Sequence, residues 1–193
     1  MAVRTGLSFP LGDISGEKGD GMSHDFATQI PLLVELGAKV HPMIFLGAYT
    51  GLSLGGTSSA FSDAQGCGKG GRSCLASTLR IGFEVQIHFQ PAERVNPWIG
   101  YGIGFESASA SANGGGAVEA SESFTGFELA RFAGGIDFRL SRIFGIGPFA
   151  ELPFGTYSHA HVLGADGTTA DSPITNTALH VWPTIGVRGV FFP

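Results

Sequence analysis

Charge is scarce in this sequence: Asp, Glu, Lys and Arg make up only 14% of 193 residues, where a soluble domain carries roughly 25%. Long apolar runs are missing too. The stretch from Phe144 to Phe154 is broken by Gly, Pro and Glu, far short of the ~20 residues of a spanning helix, which excludes a helical membrane protein. Clusters of Lys and Arg are absent and the net charge is -5, so nucleic acid is excluded as a partner. The N-terminus, Met1-Ala2-Val3-Arg4, lacks a basic segment followed by an apolar one; any export signal is expected to have been removed, with a start methionine added. What remains is a chain rich in glycine (31) and phenylalanine (16) with a positive mean hydropathy of +0.21. If such a chain enters a membrane, its backbone groups must pair between strands of a closed barrel, because lipid offers them no partners.

The hydrophobic period is two. From Thr78 to Phe89, Leu79, Ile81, Phe83, Val85, Ile87 and Phe89 alternate with Thr78, Arg80, Gly82, Glu84, Gln86 and His88, which is strand patterning. The same alternation begins at Ile30, Ile44, Pro97, Arg131, Phe144 and Thr184, and a weaker opening segment sets Leu7 and Phe9 against Arg4, Gly6 and Ser8. About eight strands result, each long enough for the ~9–11 residues of a tilted bilayer crossing. Polar connectors at 12–25, 56–74, 108–123 and 160–177 alternate with short ones at Val40–Pro42, Gln90–Asn96 and Leu140–Ile143. These observations predict an all-β, eight-stranded antiparallel up-and-down transmembrane β-barrel, one domain over 1–193, with short turns on one rim and long loops on the other.

A soluble lipocalin-like barrel is the rival, and residue size on the polar face decides against it. That face is mostly glycine with isolated charges, which suits a cramped interior; eight strands enclose a space just wide enough for side chains to fill. Its charges nearly balance: Glu35, Glu84, Glu106, Asp137 and Glu151 against Lys39, Arg80, Arg131, Arg139 and Arg188. Buried charges need partners, so these residues are expected to form a charge network in the lumen. Arg at Ile81, Phe83 or Val85 would then put charge into lipid, while Gln86→Glu is expected to be mild. Phe89, Trp98, Phe144, Phe154, Tyr157, Trp182, Phe191 and Phe192 are candidates for interfacial aromatic girdles.

The runs Asn96-Pro97-Trp98-Ile99-Gly100-Tyr101-Gly102-Ile103-Gly104-Phe105, Gly134-Gly135-Ile136-Asp137-Phe138-Arg139-Leu140 and Gly186-Val187-Arg188-Gly189-Val190-Phe191-Phe192 resemble the small outer-membrane β-barrel proteins of the OmpA, OmpX and OmpW kind. The resemblance runs over essentially the whole chain. It implies the bacterial outer membrane as location, outer-membrane lipid as surroundings, and Phe192 as the aromatic assembly signal read by the barrel-assembly machinery, although Pro193 follows it here. Members of that group differ in role, so fold does not fix function.

Cys67 and Cys74 are the only cysteines, and crossing an oxidising periplasm predicts a disulfide between them. Gly100-x-Gly102-x-Gly104 has no helix after it and reads as a lumen-facing stripe rather than a nucleotide loop. Asp13, Glu17, Asp20, Asp166 and Asp171 lack the spacing of a Ca²⁺ loop and read as solvated acids. Ser158, His159, His161 and His180 read as exposed loop residues rather than a catalytic or metal set. No cofactor, metal or enzymatic activity is assigned. Two functional classes stay open: a structural or surface-interaction barrel whose lumen is plugged by charged side chains, or a narrow channel or carrier for a small or apolar solute.

Overall fold

The computed structural model describes residues 1–114 and 117–191. In chain order it contains β1 (Ala2–Ser8), β2 (Leu11–Gly12), α1 (Met22–Asp25), β3 (Phe26–His41), β4 (Ile44–Thr57), α2 (Ser59–Gln65) and β5 (Ser73–His88). There follow β6 (Val95–Gly114), β7 (Ala117–Arg139), β8 (Phe144–Leu163), β9 (Thr169–Pro173), β10 (His180–Val181) and β11 (Thr184–Phe191). Strands β1, β3, β4, β5, β6, β7, β8 and β11 pair in antiparallel succession. The ring closes where β11 meets β1, from Ala2 opposite Val190 to Ser8 opposite Thr184, and meets β8, from Thr184 opposite Glu151 to Phe191 opposite Phe144. Closure leaves no sheet edge around most of the wall, which a bilayer requires.

Burial inverts with each residue along the wall, and the inversion settles which face is inside. Phe83 is 73% exposed while its neighbour Glu84 is 6% exposed. Ile30, Leu32, Ile81, Ile103, Phe105 and Phe132 all face outward, whereas Gln29, Thr78, Arg80, Gln86 and Glu106 are buried. A soluble barrel has the opposite arrangement. Short turns join β3 to β4, β5 to β6 and β7 to β8, and the long connections gather on the other rim.

Two of the connectors expected as loops are largely strand. Strand β6 continues to Gly114 and β7 resumes at Ala117, so the described part of 108–123 extends the hairpin. Strand β8 likewise runs to Leu163, with β9 folding back on it. The reason is a period of two written in small residues: Ala108, Ala110 and Ala112 are buried inside, while Ser109 faces away and bonds Ser123 across the ladder at 2.9 Å. Low hydrophobicity mimics a loop, yet backbone pairing needs no large side chain. At 23 residues, β7 is about twice a bilayer crossing, so the hairpin projects beyond the apolar belt.

Candidate functional site

The largest concentration of chemically active side chains lies inside the ring. Four arginines, Arg4, Arg80, Arg131 and Arg188, meet six carboxylates, Glu35, Glu84, Glu106, Glu128, Asp137 and Glu151, and all ten are buried. Near the turn rim, Arg188 donates to Glu35 at 2.9 Å, to Asp137 at 3.1 Å and to the Gln86 amide oxygen at 2.7 Å. Arg4 pairs with Glu35 and reaches Glu151 at 2.9 Å and Glu84 at 3.4 Å. Midway, Arg131 binds both oxygens of Glu128 at 2.9 Å and lies 3.7 Å from Glu151. Arg80 then links Glu128, at 3.4 Å, to Glu106, at 2.7 Å. The chain of contacts is continuous from Asp137 to Glu106, and the planar guanidinium suits it because one fork serves several oxygens.

Inward aromatic rings complete the packing. Arg188 and Arg4 lie 4.1 and 4.9 Å from the Trp98 ring centroid, Arg131 lies 4.1 Å from that of Tyr49, and Arg80 lies 5.4 Å from that of Trp182, within the range of cation–π attraction. Glycines make the space: a Cβ at Gly82 or Gly104 would meet the Tyr49 hydroxyl at 2.4 or 2.6 Å. Trp98, Tyr157 and Trp182 are therefore not girdle residues, as their places near the predicted strand ends had suggested, but fully buried ones. Trp98 shares the phase of Gly100 and Gly102, and that phase points inside.

Above the charges the interior turns apolar. Phe26, Phe124, Tyr157, Trp182 and the small Ala108, Ala110 and Ala112 line the wall, and Ile14, Met22 and Phe61, from the first two long loops, pack onto them. Ser58 caps α2 by accepting from Phe61 N–H at 3.1 Å, and Gly66 ends it in the left-handed conformation at φ 67°. Cys67 and Cys74 form a disulfide that staples the far side of this loop to β5. His180, expected in an exposed loop, is buried, stacks on Tyr157 at 4.1 Å and places Nε2 3.2 Å from Glu106. It lies inside because β10 pairs with both β2 and β8.

Two of the assigned charges stand at the turn rim. Lys39 is exposed at the turn rim and donates to Pro42 C=O at 3.3 Å, and Arg139 is half-buried there, donating to Pro91 C=O at 2.9 Å. Both have the inward phase and stand near the rim. Arg4 and Glu128 belong to the network although neither was in the set assigned from sequence. Arg4 had the right phase in a weak strand. Glu128 sits beside a β-bulge between Glu128 and Ala130, which breaks parity; the only signal was the outward spacing Phe127, Leu129, Phe132. Phe192 lies outside the described residues.

A second bulge holds Ser158, as Thr125 pairs with His159 and Gly126 with Tyr157. Ser158 Oγ lies 3.1 Å from His159 Nδ1 on the exposed outer wall, and the described residues give that imidazole no carboxylate partner. A serine nucleophile would need its base oriented by a third group, so the pair lacks the third member of a triad. Among the described residues no His, Cys, Asp and Glu cluster is arranged to hold a metal.

No family model and no curated protein matches this sequence. Solved structures do. The crystal structure of Neisserial surface protein A (NspA) is 10% identical, with a TM-score of 0.53 over 99% of this chain and 96% of that one. The outer membrane protein OprG from Pseudomonas aeruginosa is 12% identical, with a TM-score of 0.52 over 99% of this chain and 94% of that one. The fold of this chain is thus that of the small eight-stranded outer-membrane β-barrels, with short turns on the periplasmic rim and long loops on the extracellular one.

Proposed function

We propose that this chain serves the outer membrane as a barrel closed to ions, structural or surface-interacting in role, with its long loops meeting the exterior. The observation that carries the reading is the unbroken run of buried ion pairs from Asp137 through Arg188, Glu35, Arg4, Glu151, Arg131, Glu128 and Arg80 to Glu106. An open aqueous lumen favours charges held apart and hydrated, whereas mutually paired arginines and carboxylates occupy the space an ion would need. Ile14, Met22 and Phe61 packed across the extracellular end support the same reading. Lipid contacts the apolar outer wall, and Phe192 is the assembly signal in this proposal. We assign no catalytic role and no cofactor.

Single-channel recording of the protein refolded into planar bilayers tests it. The wild type is expected to show no steady conductance, and Arg80→Ala, which releases Glu106 and Glu128 from one partner, is expected to show at most flickering events. Steady, ion-selective current in the wild type would overturn the closed-barrel reading in favour of a narrow channel or carrier.

A further inference from the structure

Beyond the last rung of the β1–β3 ladder, Ala2 opposite Glu35, the periplasmic end of the barrel holds a cavity of about 470 Å³. That volume lies in the range of small-molecule sites. Phe45, Ala2 and Val190 supply apolar wall, and Lys39, His88, Glu35 and Arg188 supply its polar groups. Glu35 is already charge-matched by Arg4 and Arg188 and accepts from Gln86 at 3.0 Å. The Nη atoms of Arg188 are engaged by Glu35, Asp137 and Gln86.

The other two polar groups have capacity left. Lys39 has a single partner, the Pro42 carbonyl, and no carboxylate within ion-pair distance among the described residues. His88 is 3% exposed, and its state is set by a chain of hydrogen bonds. Gln90 N–H donates to Asn96 Oδ1 at 3.1 Å, which turns the Asn96 NH₂ toward His88 Nδ1 at 2.7 Å. An Nδ1 that accepts leaves the ring proton on Nε2, so a buried imidazole lining the cavity carries an N–H for which the described residues provide no acceptor. That N–H borders the open space of the cavity, where a bound acceptor can reach it.

We propose that this cavity binds an organic monoanion with a compact apolar body, its carboxylate taken by Lys39 Nζ and His88 Nε2–H and its body resting on Phe45, Ala2 and Val190. An apolar wall with free donors, its one carboxylate already held by two arginines, selects against cations and gives a neutral analogue only the hydrophobic share of the affinity. The site opens toward the periplasm, on the opposite end of the barrel from the loops, so it does not depend on whether the lumen conducts.

The test uses the full chain in lipid nanodiscs, labelled with ¹⁵N in the histidine rings and titrated with sodium benzoate to millimolar concentration, with benzyl alcohol and benzylamine as size-matched controls. The expected result is a saturable shift of the His88 ring nitrogens with benzoate, a response at least tenfold weaker with either control, and at least tenfold weaker benzoate binding in Lys39→Gln. Lys39 is exposed, and heat-modifiable gel mobility verifies that this variant folds. Val190→Phe, which fills the cavity without touching either donor, is expected to weaken benzoate as well. Equal shifts with benzoate and benzyl alcohol, wild-type affinity in Lys39→Gln, or no saturation would each overturn the proposal.

Discussion

Arg131 and Glu128 stand three residues apart on β7 and nevertheless make a two-pronged ion pair, Nε to Oε1 and Nη2 to Oε2, both at 2.9 Å. In a regular strand residues three apart face opposite sides; the bulge between Glu128 and Ala130 brings both inside. Glu128 also accepts from the Tyr49 hydroxyl at 2.6 Å. Glu128→Ala is therefore expected to destabilise the barrel by about 3–5 kcal/mol, because it strips the buried Arg131 guanidinium of its two-pronged partner and leaves only Glu151 at 3.7 Å. The double variant Glu128→Leu, Arg131→Met should recover much of that loss. Reversible urea unfolding in lipid vesicles measures both; a single-variant loss under about 1 kcal/mol would mean that water screens the site.

Gln86→Glu, mild on the polar-face argument alone, is expected to be costly. The Gln86 amide donates to Glu35 at 3.0 Å and to Glu84 at 2.7 Å, so the substitution removes both donors and sets a third carboxylate between two others. A loss of roughly 1–3 kcal/mol is expected from the unsatisfied groups alone, comparable with the ~2–4 kcal/mol for Phe83→Arg at mid-membrane. The two variants separate by salt and pH: lowering the pH should rescue Gln86→Glu and leave Phe83→Arg unchanged.

The first extracellular loop should dock more firmly in acid. Burial, then the charges of Glu122 and Asp20, lift the Asp25 carboxyl to about 6 from its ordinary 3.8, against the opposing pull of His24. A raised carboxyl pKa means the docked loop takes up a proton, so its docking is strongest below pH ~4 and weakens as pH rises to about 6, then stays level. After a discount for solvent screening the change is roughly 1–2 kcal/mol. The ¹³C methyl resonance of Met22, which this loop buries against the barrel wall, should report the transition, and Asp25→Asn should abolish it.

Unreduced, denatured protein should show no free thiol, given the Cys67–Cys74 bond. Replacing both cysteines by serine removes a cross-link over seven residues, worth roughly 2–3 kcal/mol by loop entropy, but the effect should stay local. Protease cleavage within 58–72 should rise several-fold while the urea midpoint of the barrel holds. A matching drop in the midpoint would show that the loop and barrel unfold as one unit.

How far the sequence reached can be read from single residues. Phe83 and Glu84 are assigned to opposite faces by alternation alone, since a strand turns each successive side chain over, and eight such segments with alternating connector lengths determine a barrel of this kind. Cys67 and Cys74 could pair only with each other.

What the sequence left open is everything that depends on stagger between strands. Which arginine meets which carboxylate follows from the barrel's shear, a closure property that no strand contains, so the Arg188–Glu35 contact across 153 positions had no local signature. Bulges shift phase by one residue, which hid Glu128; packing of loops into the mouth is decided by distant contacts, which buried His180. Local chemistry fixed each strand's two faces, while the interior pairing arose only when the ring closed, because ion pairs form between side chains that closure alone brings together.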